Sequence, residues 1–153
     1  MQHFELDETD KKILSFLISD ARTPYLEIAR ECNISGAAIH QRVKKLEQAG
    51  IILGSGVHVK PQTLGYDICA FAGIQLSEAN KYADVIKALR HLPEIVECHF
   101  TTGSYAILIK MYCRNNEHLM HVLVNTIQNI PGIASTETFL SLEQTINRQI
   151  EIA

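Results

Sequence analysis

The chain of 153 residues lacks the features of membrane, secreted and metal-binding proteins. No apolar run approaches the roughly 18 residues of a membrane-spanning helix, and Met1–Leu6 lacks the basic stretch and apolar core of a signal peptide. The four cysteines form no C-x-x-C pair, which argues against a zinc knuckle or a redox motif. We therefore expect a cytoplasmic protein without membrane or metal partners, whose cysteines are small buried apolar side chains.

The sequence also lacks the patterns of common catalytic sites. It contains neither a glycine loop of the kind that cradles phosphate nor a nucleophile beside a base. His118 and His121 stand three residues apart on a predicted helix without a clear third ligand, so we interpret them as surface or interface residues. We expect neither an enzyme nor a cofactor.

An excess of basic charge, typical of DNA-binding proteins, is absent from the whole chain but present locally. The chain holds 14 Lys and Arg against 17 Asp and Glu, a net charge of −3. Residues 1–63 hold eight of each kind and residues 64–153 hold six and nine, so the acidic excess belongs to the second part. Residues 36–60 carry four basic residues and one acidic residue, which suits a small DNA-binding patch.

Residues 1–63 have the pattern of a winged helix-turn-helix domain with a linker. Asp7 is predicted to cap a first helix, and Ser35 a third helix that Gly50 ends. Asn33, which tolerates left-handed geometry, ends the second helix. Apolar residues of that second helix recur at helical spacing, at Tyr25, Ile28, Ala29 and Cys32.

Short apolar pieces follow the third helix. Ile51–Leu53 and Val57–Val59 flank Gly54-Ser55-Gly56 and predict either a small wing or an extended linker. Pro61–Gly65 has the composition of a boundary, so we place the second domain at residues 64–153.

This second domain is predicted to be ferredoxin-like, which makes the chain an α+β protein. Strands are predicted at Ile68–Leu76, Ile95–Thr102, Tyr105–Cys113 and Ile133–Leu142. With a helical pattern after the first strand and another after the third, the order is βαββαβ. Such a sheet leaves one face bare, and a second copy of the chain is its simplest cover, so we expect at least a homodimer.

The third helix is the predicted DNA-recognition element, and its first residues lie nearest the base edges. Gln41 is expected to pair with adenine and Ala37 to contact a thymine methyl, whereas Arg42, Lys44 and Lys45 suit phosphates. The complete predicted set is Ser35, Gly36, Ala37, Ala38, His40, Gln41, Arg42, Lys44 and Lys45. The alternative is that this surface is only the solvated face of an amphipathic helix.

Motifs spread along the whole chain match a known family in order and spacing. They are Leu6-Asp7 with Asp10, Ala21-Arg22, Ile28-Ala29, Ile34-Ser35, Arg42-Val43, Leu46-Glu47, Gly50-Ile51-Ile52, Leu64-Gly65-Tyr66, Thr101–Tyr105 and Ser135–Thr138. In these the chain resembles the Lrp/AsnC family of bacterial and archaeal regulators, and looks closest to its asparagine-responsive type. The resemblance implies dimers formed through sheet and linker, octamers, and an amino acid bound between dimers near the hairpin after the second strand.

That hairpin is the predicted effector site. Backbone N–H groups around Gly103 can bind a carboxylate, because glycine lets the ligand approach closely. Many family members carry acidic residues at the positions of Ser104 and Ala106, which are neutral here, so we favour asparagine as the effector. The complete predicted set is Thr101, Thr102, Gly103, Ser104, Tyr105, Gln128, Ser135, Thr136 and Glu137. The alternative is an ordinary hairpin turn between threonine-containing strands.

Two other functions fit the same architecture. Sirohaem decarboxylases have similar domains and would need His and Arg for an acidic tetrapyrrole, but the candidates here are scattered, at His91, His99, Arg114 and Arg148. The second alternative is an effector-binding partner that is silent on DNA and modulates a sibling regulator.

Overall fold

A computed structural model describes residues 5–152. Residues 1–4, which include most of the stretch analysed for a signal peptide, and residue 153 lie outside the described part. The chain divides into two compact units, Met1–His58 with Ile146–Ala153, and Val59–Thr145. The boundary that we place after residue 63 stays a prediction, and the C-terminal residues from Ile146 onward belong to the first of these units. Residues 141–152 carry neither helix nor strand, although the Ser141 backbone N–H still donates to the Cys69 carbonyl of the sheet at 2.9 Å.

Three helices build the first unit: α1 at Glu8–Ser19, α2 at Tyr25–Cys32 and α3 at Gly36–Gln48. The Asp7 carboxylate accepts a hydrogen bond from the backbone N–H of Asp10 at 2.8 Å, so Asp7 caps α1 as predicted. The helices share one buried apolar cluster that contains Ile13, Ile28, Ala29, Ile39 and Val43.

The turn between α2 and α3 depends on two polar residues. Asn33 lies in the left-handed region, with φ 55° and ψ 40°, as predicted from its tolerance of that geometry. The Ser35 hydroxyl accepts a hydrogen bond from the backbone N–H of Ala38 at 3.1 Å and so caps α3. Gly50, at φ 70°, follows the end of α3.

The segment after α3 is a linker rather than a wing. Within the described chain, residues 51–60 form neither helix nor strand. The β-propensity of Val57–Val59 favoured a strand. However, a pair of three-residue strands, Ile51–Leu53 and Val57–Val59, is too short to be stable without a third strand beside it. Leu53 and Val57 are accordingly exposed.

The second unit is a four-stranded antiparallel sheet with helices on one face. The order along the sheet is β2-β3-β1-β4, which confirms the predicted ferredoxin-like fold. The elements in chain order are β1 Ile68–Leu76, α4 Tyr82–Leu89, β2 Ile95–Phe100, β3 Ile107–Cys113, α5 Asn116–Met120 and β4 Ile133–Leu140. Helix α5 continues as a π-helical segment, His121–Thr126, and a 3₁₀ turn, Ile127–Asn129.

Alternation along the strands separates the two faces of the sheet. Ile107, Ile109, Met111 and Cys113 of β3 are buried against the helices. The opposite face, here called the bare face, carries Phe71, Leu108, Lys110, Tyr112 and Phe139. It combines these aromatic and apolar side chains with polar ones such as Glu97 and Glu137.

Lys110 lies at the centre of the bare face. Its ammonium is 3.0 Å from a Glu97 carboxylate oxygen and about 6 Å from the ring centres of Phe71 and Tyr112, at 6.0 and 5.8 Å. The hydrogen bond to Glu97 raises the pKa of Lys110. Glu97 therefore neutralises the charge of Lys110 locally. The paired lysine adds less polarity to the face than a lysine without a partner would.

The cysteines are not uniformly buried, contrary to the prediction. Cys113 is buried in the core, whereas Cys98 is exposed because β2 is an edge strand. Desolvation is the main cause that raises the pKa of both thiols.

Candidate functional site

Helix α3 presents a row of exposed polar side chains opposite its buried face. Ile39, Val43 and Leu46 are buried, and the helical repeat turns the intervening residues outward. The exposed members of the predicted DNA-binding set are Ser35, Ala37, His40, Gln41, Lys44 and Lys45, whereas Gly36, Ala38 and Arg42 are half-buried. Among residues 5–152, the two lysines form no ion pair. Their charges are available to an anionic partner.

Two members of the set also contact α2. A Cβ atom added at Gly36 would lie 3.2 Å from Leu26 Cδ2, so the small residue permits close packing of the two helices. The His40 ring lies 5.9 Å from the Tyr25 ring at a tilt of 53°. These contacts fix the first turn of α3, the part expected to approach bases.

Arg42, which we predicted to suit phosphates, lies against two carboxylates at the start of α1. Its Nη1 atom lies 2.7 Å from Asp7 Oδ2 and 2.7 Å from Asp10 Oδ1. The Asp10 side chain is only 9% exposed, whereas that of Arg42 is 33% exposed. No sequence pattern indicates this pairing, because α1 and α3 are brought together only by the fold.

The ion pair changes the titration of its members. Hydrogen bonds to Asp10 and then to Asp7 raise the pKa of Arg42. The backbone N–H of Asp10, followed by Arg42, lowers the pKa of Asp7 below its usual value. The guanidinium therefore stays charged and directed towards α1.

A second candidate site is a cavity of about 440 Å³ beside the β2–β3 hairpin. Its lining residues are Gln75, Leu76, Ala79, Phe100, Thr101, Gly103, Ser104 and Ala106. Thr101, Gly103 and Ser104 were predicted from the sequence. None of the lining residues carries a charge.

The hairpin has a defined shape. The Thr101 backbone N–H donates to the Ala106 carbonyl at 2.9 Å, and its hydroxyl donates to the Tyr105 carbonyl at 2.5 Å. Gly103 has φ 102°, a conformation that other residues adopt only with strain. Thr101 and Gly103 thus set the backbone around the cavity.

Tyr105 packs on β1 rather than lining the cavity. A Cβ atom added at Gly73 would lie 2.5 Å from Tyr105 Cγ. The ring therefore lies directly over Gly73, where the strand has no side chain. Tyr105 is not among the residues that line the cavity.

Gln75 is a site residue that reasoning from the sequence missed. Its side-chain Nε2 donates to the Ser104 carbonyl at 3.1 Å, and the Ser135 hydroxyl donates to its Oε1 at 2.8 Å. It thus connects β1 with the hairpin and with β4. A polar residue near the end of a predicted strand was the only available signal.

The remaining predicted effector residues are not all brought to the cavity. Gln128 Nε2 donates to Thr136 Oγ1 at 2.9 Å, on the opposite face of β4 from Ser135. Glu137 pairs in register with Gly73 on the bare face. Thr102 is exposed on the hairpin and does not line the cavity.

The histidines form no metal centre in the described part of the chain. Between residues 5 and 152, no three His, Cys, Asp or Glu side chains are placed to hold a metal ion. His118 instead lies 3.2 Å from Glu94 and accepts a hydrogen bond from the Arg114 backbone N–H at 3.2 Å. Across the same residues, no helix combines the length and apolar character needed to cross a bilayer.

Comparison with known proteins assigns both units. A family model described as the Lrp/AsnC ligand binding domain matches residues 69–150, and a winged helix-turn-helix DNA-binding model matches residues 6–52. The chain belongs to the Lrp/AsnC family. This confirms the resemblance found in the sequence motifs.

Several Lrp/AsnC relatives support the assignment. Regulatory protein AsnC of Escherichia coli K12 is 44% identical over 151 residues, 99% of each chain, and the solved structure of E. coli AsnC matches with a TM-score of 0.92 over 97% of this chain and 99% of that one. An HTH-type transcriptional regulator of Pyrococcus horikoshii is 37% identical over 138 residues, 90% of each chain. A Neisseria meningitidis transcriptional regulator in complex with L-methionine shares the fold, with a TM-score of 0.88 at 23% identity over 94% of each chain.

The Lrp/AsnC assignment decides between the function classes. The relatives are transcriptional regulators with a DNA-binding helix-turn-helix, not enzymes, so the sirohaem decarboxylase alternative is excluded. The protein is a transcriptional regulator with a DNA-binding unit and a ligand-binding unit.

Proposed function

We propose that α3 recognises its operator through Gln41 and Ala37, and that asparagine bound beside the β2–β3 hairpin controls this activity. The observation that carries the DNA proposal is the exposed row on α3, where polar and cationic side chains stand one helical turn apart. Gln41 offers adenine a paired donor and acceptor, and the Ala37 methyl group suits the methyl of thymine.

The cationic residues of α3 position the helix on the DNA backbone. Lys44 and Lys45 are exposed and contact phosphates, with Ser35, Gly36, Ala38 and His40 forming the close approach around the first turns. Arg42 is assigned a supporting role, because its guanidinium is bound to Asp7 and Asp10.

A gel-shift series tests the two kinds of contact. With an operator selected from random duplexes, Gln41→Ala is expected to lower the preference for operator over unrelated DNA by roughly tenfold. Lys44→Ala is expected to weaken both complexes and to reduce the log–log salt slope by about one. Lys87→Ala, which removes an exposed lysine of α4, serves as the control. Parent-like binding by both α3 variants would refute the proposed recognition surface.

An amino acid is the proposed effector of the hairpin cavity. The lining offers hydroxyl, amide and backbone groups but no charge. A neutral side chain therefore adds no further charge to the α-ammonium and α-carboxylate that every amino acid brings to the site. Asparagine combines a neutral side chain with hydrogen-bonding capacity on both atoms of its amide. The methionine bound to the Neisseria regulator supports the class of ligand and not its identity.

Calorimetry against all twenty amino acids tests the effector proposal. Asparagine is expected to give the largest heat and the tightest binding. Absence of heat with every amino acid would refute it, and tighter binding of methionine than of asparagine would refute the choice of asparagine.

The proposed regulator acts as a symmetric assembly in the cytoplasm, where its DNA partner lies. Two copies bury their bare faces against each other, and dimers join into an octamer with the effector between them. The two copies of α3 in a dimer then contact two half-sites of the operator, which are related by the two-fold symmetry of the dimer.

A further inference from the structure

Gln75 occupies a position between three elements of the ligand-binding unit. It is exposed near the end of β1 and lines the cavity. Its amide nitrogen is bound to the hairpin carbonyl of Ser104, and its amide oxygen is bound to the Ser135 hydroxyl of β4. The carboxamide is therefore held in one orientation by partners on both of its atoms.

These two bonds use only half of the hydrogen-bonding capacity of the Gln75 carboxamide. A glutamine carboxamide has two N–H donors and an oxygen with two lone pairs. Ser104 takes one donor and Ser135 takes one lone pair. One N–H donor and one lone pair of the oxygen remain for a ligand in the cavity.

This remaining pair has a matching partner in a ligand carboxamide. Such a group presents an N–H next to a C=O, so two carboxamides form reciprocal hydrogen bonds when they meet edge to edge. A hydrocarbon side chain of the same shape leaves the amide of Gln75 unpaired at the ligand surface. A carboxylate offers only acceptors and so leaves the Gln75 oxygen unmatched.

We infer that Gln75 is a specificity-determining residue of the effector site, which recognises the side-chain carboxamide of the bound amino acid. Ser104 and Ser135 are the positioning groups that orient it. The inference rests on the proposed binding of an amino acid in this cavity and assigns its selectivity to one side chain.

Competing ligands of equal shape provide the test. Leucine has the same branching as asparagine but two methyl groups in place of the amide. Calorimetry of the full-length parent is expected to show asparagine binding at least tenfold more tightly than leucine, since a hydrogen-bonded pair contributes about this factor. Gln75→Met, of similar length and without donors, is expected to bring the two dissociation constants within about threefold, chiefly by weakening asparagine.

A matched variant separates recognition from support of the hairpin. Ser135→Ala removes one of the two bonds that orient Gln75 but retains its amide, so it should reduce the preference for asparagine by less than Gln75→Met does. Thermal unfolding of each variant establishes that it is folded, as expected for changes at exposed positions.

The possible results distinguish the specificity role of Gln75 from the effector proposal itself. An unchanged preference in Gln75→Met, or an equal loss for both amino acids, would overturn the specificity role and leave the effector proposal standing. Binding of neither amino acid by the parent would overturn the effector proposal and this inference with it.

Discussion

Gly73 shows how a single missing side chain organises the ligand-binding unit. It lies in the middle of β1, where glycine normally weakens a strand and marks a close approach. Here the approaching group is the ring of Tyr105, whose Cγ, Cδ1 and Cδ2 atoms would all lie within 2.7 Å of a Cβ atom on Gly73. The ring of Tyr105 thus helps to dock the hairpin that borders the cavity on β1, together with the hydrogen bond from Gln75 to Ser104.

Replacing Gly73 by alanine is expected to displace Tyr105. The added methyl group meets the base of the ring, so the hairpin backbone must shift, at a cost of about 1–3 kcal/mol in the free energy of unfolding. Amino-acid binding, measured by calorimetry, should weaken at the same time. Gly56→Ala is the control, because no atom lies within 4 Å of its Cβ position. Equal stability and affinity in the Gly73→Ala variant and the parent would contradict the docking.

Asp7 makes the stability of the first unit depend on pH. Its pKa in the folded protein is lowered, first by the Asp10 backbone N–H and then by Arg42. A carboxyl whose folded pKa is below its unfolded value of about 3.9 stabilises the fold above that pH. The contribution is lost as the pH falls through the lower, folded value.

Asp7→Asn is therefore expected to lower the melting temperature at pH 7, with a difference that shrinks as the pH falls below about 4. Asparagine also caps helices well, so the variant removes mainly the charge. Melting curves between about pH 2.5 and 7 measure the effect. A difference that stays constant over this range would show that the charge is not its cause.

At the scale of elements, Arg42 links the recognition helix α3 to the start of α1. Asp10 is buried, and its carboxylate has a cationic partner only through this contact among the described residues. Loss of Arg42 would leave a buried charge without compensation. The pair therefore fixes the position of α3 before DNA is met.

Arg42→Met is expected to destabilise the protein by roughly 2–4 kcal/mol, the lower part of the range reflecting the partial exposure of the arginine. The salt slope of DNA binding should remain that of the parent, whereas Lys44→Ala reduces it. Asp10→Asn should not increase the DNA affinity. An increase, or a flattened slope in a stable Arg42→Met variant, would instead identify Arg42 as a phosphate contact.

Local chemistry explains which elements could be predicted from the sequence. Ser35, Asn33 and the bounds of β1 depend on neighbours within a few residues, and all three were predicted correctly. The strand predicted at Tyr105–Cys113 begins only at Ile107, because Tyr105 is diverted onto Gly73.

Contacts between distant residues account for what could not be predicted. Gln75 meets Ser104 across 29 residues, and Arg42 meets Asp7 across 35. Neither pair has a spacing rule, since each depends on the register of the sheet or the packing of helices. The sequence indicated the hairpin that borders the cavity. It did not indicate Gln75, the side chain that connects this hairpin to the sheet.

At the scale of the whole molecule, the bare face is a surface on which the single chain leaves apolar side chains exposed. Phe71 and Phe139 lie opposite each other on neighbouring strands, and Phe139 is 47% exposed. Lys110 is already paired with Glu97, so burying it requires no new counter-ion. These properties suit a surface that is covered by a second copy.

Phe139→Glu is expected to shift the protein towards monomers, because it places a charge in a face that the dimer would bury. Sedimentation velocity at several concentrations measures the assembly. Leu26→Glu on α2 introduces the same charge at an exposed apolar residue outside the sheet and should leave the assembly unchanged. An identical distribution for the Phe139 variant and the parent would exclude the bare face as the dimer interface.

The π-helical segment His121–Thr126 has a consequence for the spacing of residues along the chain. A wider turn accommodates an extra residue, which changes the angular phase of everything that follows by about 100° relative to an uninterrupted α-helix. Gln128 reaches Thr136 from this shifted phase. Deleting one residue of the segment would rotate Gln128 away from β4 while leaving the composition of the unit almost unaltered. The length of this stretch, and not only its side chains, is thus part of what specifies the fold around β4.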